Sequence, residues 1–195
     1  MIIQICQHKT SLSNMNFDKK KAIRIIKEFD EITKEMNVEY FLAFGTCLEL
    51  KRDNGFIHTS KDIDIGVIFN KQLPIRKLVR KLIERGYVLD RQQNLRLNMR
   101  NGVKYSNIPS FYSFTKDDIP LDIYLFFVDK KNSRYVGGRK YTIPIKLLDE
   151  FEVIERFGIK FNVPSPVDEY LTYRYGDWRD REWYIKDPNK SPVNT

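Results

Sequence analysis

Asp62 and Asp64 flank Ile63 in the run Asp62-Ile63-Asp64-Ile65, and a third acid, Asp122, lies near the start of a later apolar run, residues 121–128. Side chains two apart on a strand point to the same face. Asp62 and Asp64 therefore share one face, and Ile63 and Ile65 the other. Two like charges about 6–7 Å apart along a strand oppose folding unless something positive lies between them. Hard divalent cations prefer oxygen ligands, so the pair points to Mg2+, or Mn2+ in its place. Asp122 is expected to open its strand as Asp62 opens the other, and if the two apolar strands are neighbours in one sheet, Asp122 completes a cluster of three at one sheet edge. Three carboxylates can hold two cations about 3.5–4 Å apart, the clamp used in phosphoryl-type transfers. A carboxylate near the acceptor can also take its proton.

Gly45 and Thr46 stand where an apolar run meets a helical pattern. Backbone N–H groups at such a junction can hold a phosphate, and glycine lets the backbone approach closely. Arg52 can add a bidentate contact to the same phosphates. Plainer readings are open for each residue. The acids can be edge-strand charges that discourage sheet pairing, Gly45 a turn glycine and Arg52 a surface cation. His58 reads as a loop histidine. Tyr173, Tyr175 and Trp178 read as core or rim aromatics, and Asp177 as a brace for a helix end. The ordered set is more specific than any member: Gly-Thr, then Asp-x-Asp seventeen residues on, then a lone Asp in a later apolar strand.

The elements that must position these residues follow from periodicity. Apolar residues at Ala22, Ile25, Ile26, Phe29, Ile32 and Met36 predict a helix over 17–36. A nearly continuous apolar run predicts a buried strand over 38–44, closed by Gly45-Thr46. A short helix is expected over 47–52, a turn at Asp53-Asn54-Gly55, and the acid-bearing strand over 63–69. A helix over 75–85 would turn Ile75, Leu78, Val79, Leu82 and Ile83 inward. Short strands are expected over 87–90, 95–99 and 105–115, with a hairpin turn at Asn101-Gly102, and then over 121–128. Further on come a loop at Val136-Gly137-Gly138, one helical turn within 143–148, a hairpin around Gly158 and a helix over 166–175 with Pro166 at its start. The pattern is α+β, a short mixed sheet flanked by helices. It reads as one domain over 17–184, with a lead-in over 1–16 and a polar tail over 185–195 that composition gives no reason to fold.

The formal charge is +8 over 195 residues, with pI near 9.3. That excess favours a polyanionic partner: nucleic acid, a nucleotide, an anionic glycan or a membrane surface. Cys6 and Cys47 lack metal-type spacing and read as reduced thiols. The opening MIIQIC is too short for a signal-peptide core, and no apolar run reaches about 18 residues. The expectation is a cytoplasmic protein, at most peripheral at the inner membrane face.

Taken together, the motifs resemble the LicD/fukutin-related branch of the nucleotidyltransferase-fold superfamily. Gly45-Thr46, Arg52, Gly55-Phe56-Ile57 and Asp62-Ile63-Asp64-Ile65 fall at the spacing of that branch, as do Pro166, Tyr170-Leu171 and Tyr175-Gly176-Asp177-Trp178 near the C-terminus. The resemblance runs from about Val38 to Trp178. It implies a transferase that moves a phosphocholine or phosphoribitol-type group from a CDP-activated donor to a hydroxyl of an anionic or lipid-linked glycan. It also implies Asp62 and Asp64 as metal ligands, Asp122 as a third ligand or base, and Gly45, Thr46 and Arg52 on the donor phosphates. The branch usually carries Pro-Trp and further acids just before Asp-x-Asp. This chain has His58, Thr59, Ser60 and Lys61 there, a less acidic and less aromatic approach. Two other functions fit the residues: transfer of a nucleoside monophosphate from an NTP to a small molecule, RNA or protein, and non-catalytic binding of an anionic polymer.

Overall fold

Asp18 opens the first helix by capping it: its Oδ1 accepts from the N–H groups of Lys20 and Lys21 at 2.9 and 3.1 Å. In a computed structural model that describes residues 17–70, 72–98, 104–130, 133–137 and 141–181, helix α1 (Lys19–Glu35) buries Ala22, Ile25, Ile26, Phe29 and Ile32. That is the predicted stripe, and it packs on α3 and on strand β5. The expected lead-in, tail and Asn101-Gly102 turn lie outside the described residues.

Strands β1 (Phe41–Leu42), β2 (Ile63–Ile68), β3 (Val88–Asn98), β4 (Lys104–Lys116) and β5 (Ile119–Asp129) form one sheet in the order β1-β2-β5-β4-β3. Strands β2 and β5 pair in parallel, with Asp64 level with Asp122; the other neighbours run antiparallel. Strands β6 (Arg134–Val136) and β7 (Thr142–Pro144) extend β5. A separate hairpin, β8 (Phe151–Arg156) and β9 (Ile159–Pro164), packs its second strand on β1. Helices α2 (Phe44–Arg52) and α4 (Val167–Tyr175) lie together at the acid-bearing end of β2, and α3 (Ile75–Glu84) packs beside α1. The mixed α+β architecture agrees with the sequence.

Several local expectations need correction. The strand over 38–44 shrinks to two residues. Its unbroken apolarity reflects burial of Val38, Tyr40, Phe41, Leu42, Ala43 and Phe44, not length of pairing. Gly45 and Thr46 do not close a strand; they lie in the first turn of α2. The acids are not at a sheet edge either, because β2 and β5 are interior strands. Asp122 is the fourth residue of β5, not its opening residue. The strands over 87–90 and 95–99 are one strand, β3. It lies at the end of the sheet order, so its exposed middle needs no apolar alternation. Of the loop expected at Val136-Gly137-Gly138, Val136 ends β6, Gly137 lies beyond the strand and Gly138 is outside the described residues; the helical turn expected within 143–148 is the 3-10 turn Ile145–Leu147, which β7 precedes. Ile83 faces solvent, while Ile75, Leu78 and Leu82 make the buried stripe of α3. Gly66 has a packing reason: it pairs with Phe41 across β1 and β2, and a Cβ there would lie 2.1 Å from the Phe41 ring.

Candidate active site

Parallel pairing brings Asp64 and Asp122 side by side, and Asp62 precedes β2 by one residue. Each of the three offers a carboxylate oxygen, and these oxygens lie within 4.8 Å of one another. Asp64 and Asp122 are buried and Asp62 is half-buried. Burial, and then the charges of Asp62 and Asp122, push the Asp64 carboxyl well above its ordinary range. The arrangement is an acidic hole that a divalent cation would relieve.

Asp64 is braced by the start of α2. The Gly45 N–H donates to its Oδ2 at 3.1 Å, and its own N–H donates to Thr46 Oγ1 at 2.8 Å. Its carbonyl accepts from the Ala43 N–H at 3.1 Å. A Cβ on Gly45 would sit 3.3 Å from Asp64 Oδ2, so glycine permits the close approach. The turn from β1 into α2 is made at Phe44, whose φ is 42°, a left-handed conformation that costs a non-glycine residue about 1–2 kcal/mol. It is held by the Tyr170 hydroxyl, which accepts from the Phe44 N–H at 3.1 Å.

Asp122 is fixed from its own sheet. The Ser113 hydroxyl, opposite it on β4, donates to Oδ1 at 2.6 Å, and the Tyr124 hydroxyl reaches Oδ2 at 3.4 Å. Glu49 organises the approach to Asp62: its Oε2 accepts from the Ile57 N–H at 3.1 Å and from the Ser60 hydroxyl. Burial raises the Glu49 carboxyl above its usual value, against those two hydrogen bonds, and the Asp62 charge adds to the rise.

Arg52 is not gathered with these groups. It ends α2, seven residues from Gly45, which is about 10 Å along the axis at 1.5 Å per residue. Its Nε donates to Asp53 at 2.8 Å and a terminal nitrogen donates to the Trp178 carbonyl at 3.1 Å. His58 is exposed in a turn, as expected for a loop residue, and Asp177 is exposed beyond α4. Trp178 is core and Tyr173 is half-buried. Cys47 is free and buried, and that burial pushes its thiol up.

The model of the LicD/FKTN/FKRP nucleotidyltransferase domain matches residues 37–166, a span that holds all three acids and both braces from α2. The chain belongs to this family. Curated relatives of this LicD-family chain include the ribitol-5-phosphate transferase FKTN of Mus musculus, 27% identical over 187 residues, and that of Homo sapiens, 23% identical over 190. Each match covers 89% of the chain but only 37% of the relative, so the chain spans little more than a third of the proteins it resembles. Among solved structures, the lincosamide antibiotic adenylyltransferase LnuA, lincomycin-bound, superposes with a TM-score of 0.51 over 84% of this chain and 90% of the other, at 17% identity. That likeness shows a nucleotidyltransferase fold.

Ser113, Tyr124, Glu49 and Tyr170 were not legible as site residues. Ser113 and Tyr124 lie within strands whose patterns are explained by the sheet alone, Tyr124 in the continuously buried run of β5, and neither carries a signal of its own. Tyr170 belongs to the Tyr-Leu pair of the C-terminal motif, which marks it without giving it a task.

Proposed function

We propose that this LicD-family chain is a Mg2+- or Mn2+-dependent transferase. It moves a substituted phosphate, of phosphoribitol or phosphocholine type, from a CDP-activated donor to a glycan hydroxyl. One observation carries the reading: three buried or half-buried carboxylates, from two neighbouring parallel strands and the residue before one of them, converge with oxygens within 4.8 Å of one another. All-oxygen donors of this kind fit a hard divalent ion. The FKTN relatives support the phosphoribitol class of group.

Asp62, Asp64 and Asp122 would hold the metal. When bound, it would supply charge neutralisation at the phosphates and acidify the acceptor hydroxyl. The chain's own contribution is preorganisation. Gly45 and Thr46 lock Asp64, Ser113 and Tyr124 lock Asp122, and Glu49 fixes the turn leading to Asp62. Asp122, the third acid of the cluster, takes the acceptor proton as base. The acceptor oxygen then bonds to the phosphorus that carries the transferred group, the bond from that phosphorus to the bridging oxygen breaks, and CMP leaves.

The test is product analysis. Purified protein is incubated with Mg2+, a glycan acceptor, and CDP-ribitol, CDP-choline or NTPs in turn. CMP release with CDP-ribitol or CDP-choline supports the proposal. Pyrophosphate release from an NTP would move the reading to nucleotidyl transfer. Full turnover in excess chelator would end the metal mechanism.

A further inference from the structure

Arg174 lies on α4 and is 8% exposed. No ion pair to it is formed among the described residues, and its Nε–H is buried without an acceptor. A guanidinium cannot shed its charge, and an unpaired buried cation is expensive. Its described contacts are two ring faces, Phe44 at 4.8 Å and Tyr141 at 4.5 Å from the guanidinium carbon. Such stacking offsets part of the desolvation and leaves the planar N–H edge for a bidentate anion.

Its surroundings place it beside the acids. Tyr170, one turn earlier on the same face of α4, holds the Phe44 N–H, and the next amide, Gly45, holds Asp64. The Phe44 and Tyr141 rings both pack on Tyr124, with centroids 4.7 and 5.9 Å apart, and the Tyr124 hydroxyl reaches Asp122. Tyr170 and Tyr175 lie within the fields of both Arg174 and Asp64. Once cations neutralise the acids, the Arg174 charge has no counterpart in the described protein.

We infer that the Arg174 guanidinium is a phosphate seat, packed against the adjoining rings of Phe44 and Tyr141 and receiving a phosphate of the nucleotide donor. The identity of that phosphate rests on the proposed donor; the existence of an anion seat does not. Arg52, held by Asp53 and the Trp178 carbonyl at the far end of α2, is a tie between elements instead.

The experiment follows the arginine Nε–H resonances of the 15N-labelled full chain in Mg2+, with the Arg174 signal assigned by its loss in Arg174→Lys. CDP and inorganic pyrophosphate are titrated separately. A saturable shift of the Arg174 signal with CDP is expected, together with CDP binding at least tenfold weaker in Arg174→Lys and Arg174→Met while Mn2+ binding is retained. A shift with pyrophosphate but not CDP keeps the seat and sinks the CDP donor. CDP binding that leaves the wild-type signal unmoved keeps the donor and sinks the seat. No shift with either probe also overturns the seat. The wild-type signal, assigned by its loss in either Arg174→Lys or Arg174→Met, decides even if the other variant does not fold.

Discussion

The two ends of α2 do different work with similar chemistry. At the N-terminal end, Gly45 and Thr46 lend a backbone N–H and a hydroxyl to one buried carboxylate, Asp64. At the C-terminal end, Arg52 is enclosed by Asp53 and the Trp178 carbonyl, and Arg181 closes on the other oxygen of Asp53 at 2.8 Å. The first end holds an acid within the carboxylate cluster; the second fastens the segment after α4 to the helix. A Gly-Thr pair and a following arginine look like one phosphate cradle in sequence, yet a helix of nine residues separates them.

The sharpest way to break this comparison is at the acid itself. Asp64→Asn should lower turnover by more than about 10^3-fold while leaving the circular dichroism spectrum native. Its thermal stability should hold or rise, because a buried repulsive charge is gone. Bracing residues come next. Thr46→Val should cost turnover about 10–100-fold, with Gly45→Ala acting in the same direction through its 3.3 Å approach to Asp64 Oδ2; steady-state kinetics would check both. At the opposite end the ranking should invert. Arg52→Met should destabilise by about 1–3 kcal/mol in denaturant titration yet change the donor KM less than threefold. A large KM effect would return Arg52 to the phosphates.

Proton competition provides a smaller, independent test. The Asp64 carboxyl is raised by burial and by its acidic neighbours, so its ionised form opposes folding, and that penalty grows as pH rises through the raised value. A metal ion reverses the sign, because it binds the ionised form. The Mn2+-induced rise in Tm should therefore be larger at about pH 8 than at about pH 5, and Asp64→Asn should lose most of the difference. A Tm increment independent of pH in the native protein would argue that no metal engages Asp64.

The acid cluster was readable from sequence because charged residues inside strongly apolar strands have few explanations, and parallel pairing set Asp64 level with Asp122. The amphipathic stripe of α1 and the Gly158 hairpin were readable for the same local reason. What escaped is long-range. The Tyr170 hydroxyl meets Phe44 across 126 positions, and no local pattern announces that. Nor does periodicity reveal that a left-handed residue inside an apolar run begins a helix, which shifted Gly45 and Thr46 from turn to first helical turn. The polar edge strand β3 lacks alternation because neither face of its middle is core.

Helix α4 carries a practical lesson. The Glu152 carboxylate of the β8–β9 hairpin accepts from the Val167 N–H, at the threshold where the family match ends at residue 166. A domain trimmed to that similarity would retain Asp62, Asp64 and Asp122 and forfeit Tyr170, the tyrosine that anchors the Phe44 bend. Boundaries drawn from homology alone would thus sever the trigger from its mounting.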